Sequence, residues 1–312
     1  MPGFKHALVT GGNGFLGRAV VARLKSRFPG MTIEIPRSNN CDLRIWGNVE
    51  QAVQGKDLVI HLAGRVGGIG LNRERPGELF YDNLIMGAQL IEACRRAKVR
   101  KMVVVGTVCS YPKFCPAPFR EESIWEGYPE ETNAPYGIAK KALMVQMQAY
   151  REQYGMNSIF LIPVNLYGPG DNFEPSSSHV IPALIRKISE AKATAKQSIK
   201  VWGDGSATRE FLYVDEAAEA IVLAVERYEG GEPVNLGSGQ EISIKDLVLK
   251  VSEFMGYAGK FEWDPTKPNG QPRRLLDVSR AERLFAFRAK LPFVEGLRKT
   301  IDWYEHSYKN SH

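Results

Sequence analysis

From residue 6 to residue 163, short apolar runs alternate with longer stretches in which apolar residues recur at helical spacing. The runs are HALVT (6–10), TIEI (32–35), DLVIHLA (57–63), KMVVVG (101–106) and SIFLIP (158–163). Brief β-branched runs divided by helical patterns predict parallel strands joined by crossover helices. The expected fold class is therefore α/β, a doubly wound parallel sheet with helices on both faces. After Tyr167 the pattern changes. Loops rich in Gly, Pro and Ser, such as GPGDNFEPSSS (168–178) and DPTKPNGQPRR (264–274), separate shorter elements. They predict a smaller C-terminal α/β lobe closing over the carboxyl edge of the sheet.

Two helical stripes stand out. Phe80, Leu84, Gly87, Ile91 and Cys94 follow one another at alternating spacings of four and three, which places Cys94 in the core. Tyr136, Lys140, Leu143, Met147, Tyr150 and Tyr154 share a second face, so Tyr136 and Lys140 lie one turn apart. Both stripes predict packing surfaces. Together they suit a four-helix interface between two copies of the chain, a homodimer.

Composition narrows the setting. A chain of 312 residues with 44% apolar residues has enough material for a full core. No uncharged apolar run approaches membrane-spanning length, and no apolar leader precedes the first glycines, so membrane insertion and export are not expected. The cysteines Cys41, Cys94, Cys109 and Cys115 show no C-x-x-C pairing and read as reduced thiols of a cytoplasmic protein. The net charge of +6 is scattered, densest in RRAKVRK (95–101), with no basic stripe interleaved with aromatics. A phosphate-rich small ligand accounts for it just as well as nucleic acid does, so a nucleic-acid partner is not expected.

The first run leads straight into VTGGNGFLGRAV, with glycines at 11, 14 and 17 at a strand end and a helix start. Glycines there let the backbone turn tightly and approach a pyrophosphate, which the helix N-terminus stabilises. This is the Rossmann arrangement for a dinucleotide. At the end of the second run, Arg37 and Ser38 occupy the ribose neighbourhood, while Glu34 lies inside the strand. An arginine there pairs with a 2′-phosphate, so NADP(H) is the expected cofactor. Asp42 and Leu43 fall where an adenine would be held.

The pair Tyr136 and Lys140 forms Y-x-x-x-K within PYGIAKK. A lysine one turn away, together with a cationic nicotinamide, would lower the phenol pKa and let tyrosine exchange a proton with a carbonyl or alcohol. Thr107, at the end of the fourth run, would hydrogen-bond the same oxygen. Two residues further, Cys109 begins CSYPK, and the residues alone leave it either a packing thiol or a reagent. His179, at the start of a helix in SSSHVIP, is likewise either satisfied locally or chemical.

Taken together the sequence resembles the extended short-chain dehydrogenase/reductase family. HLAGRVGGI (61–69), CSYPK, PYGIAK, NLYGPGDNFEPSSSHVIPALIRK (165–187), VWGDGSATREFLYVDE (201–216) and PRRLLDVSR (272–280) carry the resemblance over nearly the whole chain. It is nearest to one branch, which epimerises C3 and C5 of GDP-4-keto-6-deoxy-D-mannose and then reduces C4 with NADPH. The resemblance implies that Thr107, Tyr136 and Lys140 serve reduction and that Cys109 and His179 serve epimerisation. It implies cofactor contacts from Gly11, Gly14, Phe15, Leu16, Gly17, Arg37, Asp42, Leu43, Leu62, Ala63, Tyr136, Lys140, Pro163, Asn165, Leu166 and His179. The GDP-sugar would be held by Asn165, Lys187, Trp202, Arg209 and Asp277. Trp202 also suits a core position, and Asp277 a helix start before SRAERLF. No metal is implied.

Two departures from that branch are visible. Threonine stands at 107 where serine is usual, and GGNGFLG is closer to sugar-nucleotide epimerases and dehydratases in general. The competing expectations are a single-activity reductase or epimerase on another GDP-4-keto sugar such as a deoxyheptose, and a non-catalytic dinucleotide-binding protein. We assign residues 1–166 with about 209–240 to the NADP-binding domain, and 167–208 with 241–312 to the GDP-sugar lobe.

Overall fold

The computed structural model describes residues 3–267 and 269–308. The first half runs β1 (His6–Thr10), α1 (Phe15–Arg27), β2 (Thr32–Glu34), α2 (Trp46–Ala52), β3 (Leu58–His61), α3 (Ile69–Glu74), α4 (Pro76–Arg96), β4 (Lys101–Val105), α5 (Ala134–Tyr154) and β5 (Ser158–Pro163). The five apolar runs are thus the five strands. Next come β6 (Asn165–Tyr167), α6 (Val180–Ala193), β7 (Ser198–Trp202), β8 (Thr208–Tyr213), α7 (Val214–Arg227) and β9 (Val234–Leu236). The chain closes with β10 (Glu241–Ser243), α8 (Ile244–Met255), β11 (Lys260–Asp264), α9 (Ser279–Phe285) and α10 (Phe293–Trp303).

The main sheet has six strands in the order β2-β1-β3-β4-β5-β9, all parallel. Every residue of β3, β4 and β5 is buried, because helices cover both faces and leave no polar side to the strand. In β1 and β3 the register sets Thr10 against His61, so the ends of the two strands reach the same edge together. That edge, where the strand order turns from β1 outward in both directions, is where open α/β sheets bind ligands.

The lobe has its own core, built from Ile181, Ile185 and Ile188 of α6, Leu247 and Val251 of α8, and Leu297 of α10. It covers a three-stranded sheet, β10-β8-β6, and the parallel pair β11-β7. Two segments do not sit where chain position alone suggests. Strand β8 pairs with β6 and β10, while α7 and β9 return to the main sheet. Leu276, Ala281, Phe285 and Phe287 also join the main core, because α9 fills the gap beside β9 and α7. The chain therefore crosses between the two bodies several times.

Helices α4 and α5 lie side by side, and the two predicted stripes partly meet each other there. A Cβ at Gly87 would run into the Leu143 side chain, Gln146 Nε2 donates to the Ala88 carbonyl at 3.1 Å, and the Tyr150 hydroxyl donates to Glu92 at 3.0 Å. Cys94 is fully buried. Tyr81, Val145 and Tyr154 stay exposed on the outer side of the pair.

Candidate active site

A cleft of about 1760 Å³ runs between the sheet edge and the lobe. Cavities for one small ligand are roughly 300–1,000 Å³, so this one has room for two large ligands end to end. Its inner end is the turn between β1 and α1. There the Gly14 amide donates to the Gly11 carbonyl at 2.9 Å, and Gly14 is the N-cap of α1. A dinucleotide fits this turn. Gly11 has φ +73°, and a Cβ on it would lie 2.6 Å from the Ala63 amide nitrogen; one on Gly17 would lie 2.6 Å from the Gly12 Cα. Only a chain without side chains at these positions lets a pyrophosphate reach the free N–H groups of α1. Arg18 pins the turn from outside, donating to the carbonyls of Asn13 (3.0 Å) and Gly170 (2.8 Å).

Phe15, Leu16, Arg37, Asp42, Leu43, Leu62, Ala63, Pro163, Asn165 and Leu166 all line this cleft. Arg37 is exposed and its guanidinium meets no carboxylate among the described residues. Glu34 points elsewhere and pairs with Lys56 at 2.8 Å. Asp42 is engaged by Arg44 at 2.8 Å, and Arg44 also reaches Asp82 at 3.2 Å. Arg44 is a cleft cation that the sequence patterns did not mark.

The reacting groups converge midway. Thr107 follows β4 and its hydroxyl accepts the Cys109 amide at 3.2 Å, capping a one-turn 3₁₀ segment, Val108–Ser110. This cap fixes Cys109 beside Thr107. Helix α5 approaches through Gly137, where a Cβ would lie 2.9 Å from the Cys109 carbonyl carbon. The tight approach brings Tyr136 to Thr107, whose hydroxyl hydrogen-bonds the phenol. Lys140 stands one turn on, 3% exposed in a side chain that ends among Gly64 and Asn83. Burial pushes its pKa down to about 8.

Sequence reasoning expects a lowered phenol pKa. That expectation includes the charge of a nicotinamide; of the chain's own groups, burial and then the neighbouring Cys109 raise the Tyr136 phenol above its ordinary range, and the Thr107 hydrogen bond offsets this in part. The phenol is therefore protonated near neutral pH, as a proton donor requires.

His61 lies under Lys140, fully buried, with Nδ1 and the Thr10 hydroxyl 2.8 Å apart. Burial and the Lys140 charge hold it neutral, with a pKa of about 3.

The lobe contributes the opposite wall. His179 is the N-cap residue of α6, exposed at the cleft it lines. Partial desolvation by the surrounding chain, and then the Arg274 charge, lower its pKa. Lys187 donates to the Lys200 carbonyl at 3.1 Å, and Trp202 is half exposed with Lys267 over its ring at 5.8 Å. Arg209 is buried and donates to the carbonyls of Thr208, Gln271 and Asn269 at 2.7, 2.6 and 2.8 Å. Asn165 donates to the Glu210 carbonyl at 2.8 Å.

Asp277 does not join this wall. Its carboxylate accepts the Ser279 amide at 2.9 Å at the start of α9. Arg274 and Asp171, by contrast, line the cleft and were missed. An arginine doublet in PRR and a lone aspartate in a loop have no spacing to mark them.

These features define a protein class, and comparison with known proteins agrees. The chain belongs to the NAD dependent epimerase/dehydratase family, whose sequence model matches residues 7–237. More particularly, it is 40% identical to GDP-L-fucose synthase 1 of Arabidopsis thaliana over 301 residues, 95% of this chain and 92% of that protein. Among solved structures, a GDP-6-OMe-4-keto-L-xylo-heptose reductase from C. jejuni superposes with TM-score 0.91 at 25% identity, covering 100% of this chain and 99% of that one. A GDP-L-fucose synthetase from Naegleria fowleri bound to NADP superposes with TM-score 0.87 at 27% identity, covering 98% of this chain and 95% of that one.

Proposed function

We propose that the cleft converts GDP-4-keto-6-deoxy-D-mannose to GDP-L-fucose by epimerisation at C3 and C5 and reduction at C4, with NADPH as reductant. One observation carries this reading: two proton-moving sets, Thr107 with Tyr136 and Lys140, and Cys109 with His179, face the same cavity. Relatives named GDP-L-fucose synthase over nearly the whole chain support the substrate.

The glycine turn with Phe15 and Leu16 would hold the pyrophosphate, Arg37 the 2′-phosphate, and Asp42 and Leu43 the adenine. Leu62, Ala63, Tyr136, Lys140, Pro163, Asn165, Leu166 and His179 would line the nicotinamide half. When bound, NADPH supplies the hydride for C4. The remaining steps belong to the chain. A C4 ketone acidifies the hydrogens on C3 and C5. Cys109 Sγ takes one of these protons, and the His179 imidazole returns a proton to the opposite face. Thr107 and Tyr136 donate hydrogen bonds to the C4 oxygen while it carries the negative charge. In the reduction Tyr136 Oη gives its proton to that oxygen. Lys187, Trp202 and Arg209, which line the cleft, would take the GDP portion, and Asp277 lies outside its lining.

The C. jejuni heptose reductase likeness and the Thr107 methyl favour one second reading, reduction alone on a GDP-4-keto deoxyheptose. Incubation with GDP-4-keto-6-deoxy-D-mannose and NADPH in D₂O separates the two. GDP-L-fucose deuterated at C3 and C5 supports the first; a 4-reduced sugar without deuterium supports the second; no NADPH oxidation refutes both. We also propose a homodimer of cytoplasmic location. The exposed Tyr81 and Val145 on the neighbouring helices α4 and α5 support the dimer, and four free cysteines suit a reducing compartment. A monomeric mass by light scattering at micromolar concentration would overturn it.

A further inference from the structure

Between β11 and α9 the chain wraps the guanidinium of Arg209. Nη2 of that arginine donates to the Asn269 carbonyl at 2.8 Å, and Nη1 donates to the Gln271 carbonyl at 2.6 Å. Gly270 makes the turn between them at φ +71°, where a Cβ would stand 3.2 Å from Nη2. Arg209 lines the cleft at 8% exposure, and every hydrogen bond it makes among the described residues goes to a backbone carbonyl. Burying a cation without a counter-ion costs stability, so this charge serves an anion, which the proposed diphosphate supplies.

The residue that closes this turn also reaches the other way. Gln271 is 2% exposed, and its Nε2 donates to the Pro112 carbonyl at 2.7 Å, on the segment that begins at Cys109. Its Oε1 accepts Arg274 Nε at 3.0 Å, so both ends of the amide are committed and the side chain has one orientation. Two further bonds hold the same segment from the opposite side. The Ser110 hydroxyl donates to the Gly137 carbonyl on α5 at 3.0 Å, and the Tyr111 hydroxyl donates to Asn235 Oδ1 on β9 at 2.7 Å. Ser110 and Tyr111 thus fix the Cys109 segment to the main sheet and its helices, while Gln271 fixes it to the lobe.

We propose that Gln271 is a positioning residue of the epimerisation step: it joins the Cys109 segment to Arg209 and so sets the distance from the held diphosphate to the thiol. The proposal rests on the epimerase reading of the cleft. A sugar anchored through its diphosphate presents C3 and C5 at a fixed reach from Arg209. Proton removal requires the thiol to meet those hydrogens closely, and a misplacement of about 1 Å costs on the order of a hundredfold. Reduction uses Thr107 and Tyr136, whose places come from β4 and α5 and not from this tether. Loss of the Gln271 side chain therefore separates the two half-reactions instead of weakening both.

The test uses the full chain with two variants. Gln271→Met keeps the length of the side chain and removes both of its bonds; Gln271→Glu keeps the acceptor for Arg274 and removes the N–H that the Pro112 carbonyl receives. Each is incubated with GDP-4-keto-6-deoxy-D-mannose and NADPH in D₂O, and deuterium at C3 and C5 is compared with NADPH oxidation. Exchange should fall about tenfold to a hundredfold in both variants, between the loss of one hydrogen bond and the misplacement of a reacting group. Reduction and KM for the GDP-sugar should each move by less than about threefold, since Arg209 keeps its backbone partners. The product should shift to the unepimerised 4-reduced sugar. Alkylation of Cys109 by iodoacetamide without substrate, read by peptide mass, should be faster than in the wild type because the segment has lost its hold on the lobe. Equal falls in exchange and reduction would make Gln271 a general support of the fold and overturn the proposal. An unchanged alkylation rate overturns it too, as does a rise in KM matching the whole loss of exchange. If Gln271→Met does not fold, Gln271→Glu carries the same comparisons. A wild-type protein that exchanges no deuterium refutes the epimerase reading instead, while the alkylation rate, which needs no substrate, still judges the tether.

Discussion

The Gly68 amide donates to the Ser177 carbonyl at 3.0 Å, and this one backbone bond joins the loop after β3 to the loop after β6 across the mouth of the cleft. The contact is close because Gly68 has no side chain: a Cβ would lie 2.7 Å from the Ser178 carbonyl oxygen. The next residue, His179, opens α6. Gly68→Ala should push the two loops apart and raise KM for dinucleotide or GDP-sugar about tenfold, the equivalent of one lost hydrogen bond. Gly77→Ala is the control, since nothing lies within 4 Å of a Cβ there. Steady-state kinetics on both variants would decide it, and equal KM values would mean that the loop contact is incidental.

Arg37 reaches the cleft with its guanidinium free of any carboxylate among the described residues, while Glu34 is turned away toward Lys56. Only NADPH carries a phosphate on the adenine ribose. Arg37→Ala should therefore weaken NADPH by about tenfold to a hundredfold, the range of one charge-assisted hydrogen bond, and leave NADH nearly unchanged. Binding titrations of the two dinucleotides measure this directly. Equal losses would remove Arg37 from cofactor choice.

Much of this arrangement is legible in the amino-acid sequence. The glycines at 11, 14 and 17 mark the β1–α1 turn because no other residue tolerates its close approaches. The spacing that brings Phe80 round to Cys94 foretells a buried thiol, since helical periodicity depends on local geometry alone. Tyr136 and Lys140 are neighbours for the same reason. What the pattern does not reveal arises from contacts distant in sequence. The cleft position of Arg274 depends on Gln271 and Asn165, which no periodicity links. The raised phenol pKa of Tyr136 depends on how deeply a second layer of chain buries it. Asp277 reads equally well as a ribose ligand or a helix start, and its bond to the Ser279 amide becomes visible only with α9 in place.

Glu210 is a second group whose character comes from burial. Its carboxyl accepts the amides of Leu276 and Gly239, both at 2.7 Å, and so fastens β8 to the segment before α9 and to the loop after β9. Burial raises its pKa from an ordinary 4.5 to about 7, against those hydrogen bonds. A carboxyl whose folded pKa lies above the unfolded one stabilises the fold fully below the unfolded value, and the contribution is lost as pH rises through the folded value. The window is thus about pH 4.5 to about pH 7, and the loss is on the order of 3 kcal/mol at most. Glu210→Gln should flatten the denaturant midpoint across that window. A variant whose midpoint varies with pH as strongly as the wild type would show that Glu210 is not the source.

Cys109 and Tyr136 stand in one cleft but serve different steps, and two substitutions should pull those steps apart. Tyr136→Phe keeps the ring and its packing against the Cys109 turn while removing the hydroxyl that Thr107 bonds. Reduction should fall about a hundredfold or more, the contribution of a positioned proton donor, while dinucleotide binding persists. Cys109→Ser does the converse. A serine hydroxyl is a far weaker acid than a thiol and supplies almost no anion near neutral pH, so proton removal from C3 and C5 should stop. Thr107, Tyr136 and Lys140 are untouched by that change, and NADPH oxidation should continue slowly to the unepimerised 4-reduced GDP-sugar. Deuterium incorporation by NMR, read beside NADPH absorbance, follows the two steps independently. If Cys109→Ser exchanges deuterium at the wild-type rate, the thiol only packs against Tyr136, and the protein is a 4-ketoreductase without epimerase activity.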